Sequence, residues 1–338
     1  MKRNSILLLL LFCNSLVAMS QDPHFSQYFM APQLINPAMV GSGEGDWRVM
    51  CNWRQQWGDA GTPFNTQSLQ FEYKLLGKGD DEKNKVNTLA IGGGLMLDQS
   101  MYGGLKSTYG LASIAYHAKL SSTQTMGIGF QGMYGDRTID YSRLTFGEQF
   151  TSGGFDQTLP SGESALSNMK SFFSLSSGLF YNFNNDNINV DLGAAAYNIN
   201  KPKQTALNDP QEELPTRYVA HAGAALYVSD KLSFNFNGFY QTQALQEYFS
   251  LGGALGWDVN PQGTSTIFLG GWYRNEDSFY PYLGWLINNV QVGFSYDITT
   301  SKQNSGPVNP KSIEFSLVIK QKNDSEKKLG VSCPNSLR

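Results

Sequence analysis

The sequence predicts an all-β protein, a transmembrane antiparallel β-barrel of about fourteen strands with long extracellular loops and short periplasmic turns. Apolar and polar residues alternate over stretches of about ten residues, which is the length of one tilted strand crossing a membrane. Short and long connections alternate between these stretches, as they do at the two rims of such a barrel. Only 16% of the 338 residues are charged, while 13% are aromatic. No apolar run reaches the ~18 residues expected of a membrane-spanning helix.

The first residues of the chain have the organisation of a secretory signal peptide. Lys2 and Arg3 are followed by an apolar stretch at 6–12, and the small residues Ala18 and Ser20 precede the predicted cleavage site. The apolar stretch is too short to cross a bilayer, so we expect it to direct export and to be removed. The formal charge of −3 has no basic excess and therefore does not predict a nucleic-acid partner.

The segment that precedes the first strand is more apolar than a simple linker. Phe25, Tyr28, Phe29, Leu34 and Ile35 are separated by few charges. Because such a cluster is unfavourable in water, we expect the segment either to plug the lumen or to dock on a periplasmic partner. The chain is therefore predicted to have four parts: a signal peptide at 1–20, this segment at 21–46, the barrel at 47–322 and a periplasmic tail at 323–338.

The first predicted strand shows the alternation that defines the barrel. One face carries Trp47, Val49, Cys51 and Trp53, and the other carries Arg48, Met50, Asn52 and Arg54. Successive side chains of a strand point to opposite faces, so one face is apolar and the other polar. The same pattern recurs near 68–75, 89–97, 112–120, 126–134, 173–183, 188–196, 218–228, 232–242, 247–258, 265–274, 279–287, 290–298 and 312–321.

The connections between the strands are of two kinds. Tight ones rich in Asn, Asp, Ser and Gly, residues that favour sharp turns, lie at 121–123, 184–187, 229–231, 260–263 and 288–289. Longer ones lie at 58–65, 135–170, 199–216 and 299–311. An even number of strands places both ends of the barrel on one side, so we assign the tight turns to the periplasm and the loop 135–170 to the outside.

Aromatic residues near strand ends are typical of the interfacial girdles of membrane barrels. The predicted girdle residues are Trp47, Trp57, Trp272, Tyr273, Tyr280, Tyr282 and Trp285. A soluble β-sandwich or propeller also shows alternation, but these strands are long and no blade-length repeat of about 40 residues is present.

The sequence offers no convincing catalytic, cofactor-binding or metal-binding motif. The G-x-G-x-x-G match at 127–132 lies inside an alternating strand rather than at a strand-to-helix turn. His24, His117 and His221 are far apart, and neither H-E-x-x-H nor G-x-S-x-G occurs. We therefore predict a protein that is not an enzyme and needs no cofactor.

An ordered set of short motifs resembles a known family. The set consists of 21–30, 36–41, Leu97-Asp98 with Gly103, 146–150, 153–156, 200–204, 214–218, 270–275, 294–298 with Ser301-Lys302, 314–317, and Cys333-Pro334. It resembles the PorP/SprF family of outer-membrane proteins of the type IX secretion system and its gliding machinery. Asn198 stands where the family pattern leads us to expect His.

The resemblance singles out Asn36, Pro37, Pro202, Arg217, Tyr218, Ser295, Tyr296, Asp297 and Cys333 as family-signature positions. Each has a structural interpretation as well. Asn36-Pro37 can form a turn, and Pro202 can end a strand because proline cannot donate to the ladder. Tyr296 and Asp297 can face the lumen or the girdle. Cys333 can be a free thiol or pair with a partner, and the fate of Cys51 is equally open.

The resemblance implies a non-enzymatic outer-membrane component that supports export or surface anchoring of secreted proteins such as adhesins. The implied partners are outer-membrane lipid, other type IX secretion components, periplasmic machinery proteins, and a secreted substrate or adhesin C-terminal domain. The alternative is an outer-membrane transport barrel for hydrophobic or small polar solutes, and an outer-membrane lipase is a more distant one. Neither the substrate nor the state of the lumen follows from the sequence.

Overall fold

The computed structural model describes residues 24–58, 63–77, 87–100, 104–140, 144–156, 158–160, 170–204, 213–229, 231–260, 264–300 and 310–321. The predicted signal peptide at 1–20 and the predicted tail at 323–338 lie outside these described residues. No helix among the residues described is both long and apolar enough to cross a membrane.

Fourteen antiparallel strands close into a barrel, which confirms the predicted fold class. Each barrel strand pairs with the barrel strands before and after it in the chain, and the first strand closes the ring by pairing with the last, for example Cys51 with Leu317. The barrel strands are β1 Trp47–Gln56, β2 Phe64–Leu76, β3 Thr88–Ser100, β4 Leu105–Lys119, β5 Gln124–Ile139, β8 Phe172–Asn184, β9 Ile188–Tyr197, β10 Arg217–Ser229, β11 Leu232–Gln243, β12 Gln246–Asp258, β13 Ser265–Arg274, β14 Ser278–Ile287, β15 Val290–Thr299 and β16 Lys311–Lys320.

The longest connection contains structure of its own. The strands β4 and β5 extend beyond the predicted ranges, pairing as far as Leu105 with Ile139, so the loop begins later than expected. In this extension the outward positions Lys106, Thr108 and Asp136 are polar, and ladder pairing continues there without apolar alternation. The loop then carries a 3-10 turn at Gly147–Gln149 and a small hairpin of β6 Phe150–Thr151 and β7 Gly154–Phe155.

The barrel is apolar outside and polar inside. On β16, Ser312, Glu314 and Ser316 are buried in the interior, whereas Phe315 is 48% exposed on the outer wall. Every strand keeps its backbone groups paired with its neighbours, as a membrane-spanning structure requires. The alternation in the sequence therefore separates a lipid-facing surface from the lumen wall.

The predicted aromatic girdle is wrong for Trp272, Tyr280 and Tyr282. These three side chains are buried inside the barrel, while Tyr273 and Trp285 lie on the outer wall. Position near a strand end does not determine the face, because neighbouring residues alternate between the two sides. Inside the barrel, Trp272 and Tyr282 pack against Phe29, which belongs to the part of the chain that precedes β1.

Residues 24–46, which we call the lumen segment, lie inside the barrel. Their partners are inward-facing groups on strands all around the ring, from β1 and β2 through β10 and β11 to β16. Short 3-10 turns at Tyr28–Met30, Pro32–Leu34 and Pro37–Met39 give the segment its shape. Prolines begin two of these turns, where a missing N–H costs nothing and a longer helix is not favoured.

Candidate functional site in the barrel lumen

The lumen segment runs along the barrel from one rim to the other. We call the rim at which β1 begins and β16 ends the proximal rim, and the opposite one the distal rim. His24 contacts Arg54 and Arg274, which lie close to the distal ends of β1 and β13. At the other end Asp46 accepts a backbone hydrogen bond from Lys74 and donates one to the side chain of Gln321, both at the proximal rim.

Four buried charges surround the distal part of the segment. Arg54 Nη2 lies 3.0 Å from Asp297 Oδ2, and Arg274 Nη2 lies 3.5 Å from the same oxygen. Arg54 Nε is 4.0 Å from Glu314 Oε2. Arg274 Nη1 also pairs with the partly exposed carboxylate of Asp277 at 2.7 Å, so every guanidinium group in the cluster has a carboxylate partner. Removing one member would leave an uncompensated buried charge, a change that commonly costs about 3–5 kcal/mol.

The carboxylate of Glu314 holds the backbone of the lumen segment. It accepts hydrogen bonds from the backbone N–H of Ser26 at 2.7 Å and of Gln27 at 3.0 Å. The Gln27 side chain donates to Ser295 Oγ at 3.1 Å and accepts from Ser316 Oγ at 2.6 Å. Hydrogen bonds to a charged group contribute more than neutral ones, so this contact is a strong anchor.

Aromatic side chains pack around the segment next to this anchor. The ring of Phe29 lies 4.8 Å from that of Trp272 and 5.4 Å from that of Tyr282. The ring of Tyr28 lies 4.5 Å from that of Phe239, in an edge-to-face arrangement. Such pairs add about 0.5–1.5 kcal/mol to the free energy of burial. The lumen therefore contains a hydrophobic core built from the segment and the barrel wall.

Asn36 is the central anchor of the segment. Its Oδ1 accepts a hydrogen bond from Ala38 N at 2.8 Å and so caps the turn that begins at Pro37. Its Nδ2 donates to Leu179 O at 2.8 Å and to His221 Nε2 at 3.0 Å. One side chain thus fixes the local turn and ties it to two strands.

Glycines on the lumen wall make room for this part of the segment. A Cβ atom at Gly129 would meet the backbone of Ala38 and Pro37 at under 3.0 Å, and one at Gly178 would meet the side chain of Asn36. Only glycine permits so close an approach of wall and segment. Beside Asn36, a cavity of about 20 Å³ bordered by His221 and Asp191 has the size of roughly one water molecule.

A second charged cluster holds the segment at the proximal rim. Arg48 Nη2 lies 2.9 Å from Glu72 Oε2, and that oxygen also accepts from the backbone N–H of Gly41 at 3.1 Å. Lys74 Nζ donates to Gly43 O at 2.8 Å, and Lys320 pairs with Glu44. Charge-assisted contacts therefore fasten both ends of the lumen segment.

Five of the predicted signature residues meet at the lumen segment. Asn36 and Pro37 belong to it, and Ser295 and Asp297 contact Gln27 and Ser26. Arg217 Nη2 reaches Leu34 O at 3.5 Å, with its guanidinium carbon 4.1 Å from the centre of the Tyr197 ring.

The other signature residues are elsewhere. Tyr218 and Tyr296 face the outer wall of the barrel. Pro202 lies in the connection between β9 and β10, where its carbonyl accepts from Leu214 N at 2.8 Å. Asn198, at the family position expected to be His, is buried and accepts from Ser174 Oγ at 2.6 Å. Cys333 lies outside the described residues.

Five buried charges around the segment were not among the predicted site residues, although Arg274 and Glu314 lie within the motifs 270–275 and 314–317. The missed residues are Arg48, Arg54, Glu72, Arg274 and Glu314. A signal for them exists, because four of them stand on the polar face of an alternating strand in a chain with few charges. In the part of the chain that the structure describes, no three His, Cys, Asp or Glu side chains are grouped to hold a metal ion.

Fold and lumen together define a β-barrel membrane protein whose interior is occupied by its own chain. A monoaromatic hydrocarbon channel, the TodX deltaS2S3 mutant, superimposes with a TM-score of 0.51 at 10% identity, covering 87% of this chain and 94% of that one. A Pseudomonas aeruginosa FadL homologue gives 0.51 at 10% identity, with coverage of 80% and 89%. At such identity the likeness concerns the fold alone. No curated protein matches the chain.

The family follows from the sequence match. Residues 17–319 match the model of the type IX secretion system membrane protein PorP/SprF, and the chain belongs to this family. The match includes the lumen segment and nearly the whole barrel wall, so the charged clusters lie within the family region except for Lys320.

Proposed function

We propose that this protein is a non-enzymatic outer-membrane component of the type IX secretion machinery that supports export or surface anchoring of secreted proteins such as adhesins. Membership of the family over residues 17–319 supports this function. The observation that carries the proposal is the lumen segment, which is buried and anchored by charges at both rims. A barrel filled in this way suits recognition and coupling better than the passage of solutes.

The distal rim offers contacts for a protein partner. Phe150 and Phe155 stand on the small loop hairpin with 59% and 43% of their surface exposed, and Leu245 at the β11–β12 turn is 89% exposed. With both barrel ends in the periplasm, this rim faces outside. Exposed apolar side chains of this kind favour binding of a folded protein surface. We assign them to the secreted substrate or its C-terminal domain.

The proximal rim and the tail face the periplasmic machinery in this proposal. Asn36, Pro37, Arg217, Ser295 and Asp297 hold the lumen segment in place, and Tyr218 and Tyr296 meet lipid. Pro202 shapes an outer connection. For Cys333 near the end of the chain, both a free thiol and a bond to a partner stay open.

The rival function, transport of hydrophobic or small polar solutes, has the barrel fold in its favour, since one structural neighbour is named as a hydrocarbon channel. The buried lumen segment argues against it. An experiment that separates the two combines Phe150→Asp with Phe155→Asp and measures surface display of the cognate secreted protein. Leu159→Asp, another loop substitution, serves as a control for loop folding.

We expect display to fall in the double variant while the amount of folded barrel is unchanged. The unmodified barrel in planar bilayers should give no sustained solute flux. Normal display by the double variant together with steady flux through the unmodified barrel would favour the transport function.

A further inference from the structure

We propose that the mature N-terminus is presented at the distal rim, on the outer surface, so that it and the end of β16 lie on opposite sides of the membrane. An even-stranded barrel places the start of β1 and the end of β16 at the same rim. That arrangement alone would place the N-terminus at the proximal rim as well. The direction in which the lumen segment runs places it at the distal rim instead.

The contacts of His24 locate the upstream end of the segment. Its carbonyl oxygen accepts from Arg54 Nη1 at 2.6 Å, and its Nε2 lies 3.0 Å from Arg274 Nη1. Its ring lies 5.4 Å from that of Tyr248. Arg54 is near the end of β1, Arg274 is the last residue of β13 and Tyr248 is near the start of β12. All three positions belong to the distal rim.

The downstream end of the segment lies at the other rim. Asp46 N donates to the side chain of Gln321, just after β16, at 3.0 Å. The strand β1 then returns from Trp47 toward the distal rim. The chain therefore runs through the lumen from the distal rim to the proximal rim before it forms its first wall strand, β1.

Contacts between the two ends fix the direction of the segment. Gln131 Nε2 donates to Gln33 O at 3.1 Å, and the ring nitrogen Nε2 of His117 lies 2.8 Å from Val40 O. With the Asn36 anchor between these points, the successive contacts follow the segment from the distal rim to the proximal rim without a reversal. The chain upstream of His24 then continues from the distal rim.

This arrangement makes the lumen segment a covalent connection between the two faces of the barrel. A protein bound outside meets the N-terminal end beside the distal loops, and a periplasmic protein meets the part from Gly41 to Asp46. The identity of these partners rests on the proposed function. The sidedness of the N-terminus does not, and it is tested without any substrate.

The test uses single cysteines in a background with Cys51→Ser and Cys333→Ser. Asp22→Cys reports on the N-terminus, Gly153→Cys on the distal hairpin and Asp186→Cys on the proximal β8–β9 turn. Intact cells are treated with a membrane-impermeant biotin maleimide, and the treatment is repeated after the outer membrane is permeabilised. We expect Asp22→Cys to react together with Gly153→Cys on intact cells, and Asp186→Cys only after permeabilisation.

A second variant covers the case in which the thiol is shielded at the mouth. An epitope with a Gly/Ser linker is inserted after Gln21 and detected by antibody on intact cells. Antibody binding with a folded barrel supports the proposal. Reaction of Asp22→Cys only in company with Asp186→Cys overturns it, as does the absence of both surface labelling and antibody binding.

Discussion

Gly129 offers the most direct test of how closely the lumen segment is fitted to the wall. This residue is buried on β5, and a Cβ atom there would meet the backbone of Ala38 and Pro37 at under 3.0 Å. Gly110 on the neighbouring β4 is the matched control, because a Cβ atom there would have only the Leu95 side chain nearby, at 3.8 Å. The same substitution, glycine to alanine, thus meets backbone at one site and open space at the other.

The two substitutions are expected to change the stability of the barrel in opposite directions. Overpacking against a well-fitted neighbour costs about 1–3 kcal/mol, and the neighbour here is backbone that cannot rotate away. At Gly110 the loss of chain entropy in the unfolded state should instead stabilise the barrel by about 0.4–1 kcal/mol. For Gly129→Ala a cost of about 1–3 kcal/mol, if borne by docking alone, shifts the docking equilibrium of the segment by about 5- to 150-fold.

Hydrogen–deuterium exchange of the purified barrel in detergent measures this shift. Peptides covering residues 28–40 should exchange faster in Gly129→Ala by a factor in the stated range, while peptides from the barrel strands keep their protection. Gly110→Ala should leave the segment unchanged. Equal exchange of the segment in the two variants, or loss of protection spread evenly over the strands, would refute the close fit as the reason for the glycine.

Further predictions concern the wall, the charges and the folded state. Leu317→Arg, on the outer wall, should cost roughly 2–4 kcal/mol if it lies at the bilayer midplane, and this is measured as lost yield of folded barrel in lipid. Ser316→Arg should spare the wall but displace Gln27, since Ser316 Oγ donates to Gln27 Oε1 at 2.6 Å, and faster exchange of the segment reports this. Arg54→Met leaves Asp297 and Glu314 short of a cation and should loosen the segment by about 3–5 kcal/mol, with Arg54→Lys intermediate. The unboiled protein should migrate faster on a gel than the boiled protein, and identical migration of the two samples would contradict a folded barrel.

The barrel itself could be predicted because apolar and polar residues alternate within each strand and so indicate which side faces lipid. In β16, Ile313, Phe315 and Leu317 alternate with Glu314 and Ser316, and the structure separates the two sets as expected. Local patterns do not show where polar ladders continue beyond the apolar band, so the extensions of β4 and β5 were missed. They also do not show which aromatic residues face inward, as with Trp272.

The candidate site was predictable only in part. The apolar residues of the lumen segment predicted that it either plugs the lumen or docks on a partner, and five signature residues contact it or belong to it. The anchor between Ser26 and Glu314 joins residues 288 positions apart, and no pattern along the chain reveals such a pairing. An arginine or glutamate on a polar strand face can contact either water or another part of the protein. Only the structure shows that these residues contact the lumen segment.

That long separation between Ser26 and Glu314 has a consequence for how the barrel is made. The strand that is synthesised last provides the acceptor for a segment that is synthesised almost first, so this anchor forms only after the whole barrel sequence has been made. Contacts so distant in sequence form slowly, because a long loop must be closed before they stabilise anything. We therefore expect the lumen segment and the barrel wall to reach their final packing together, late in folding.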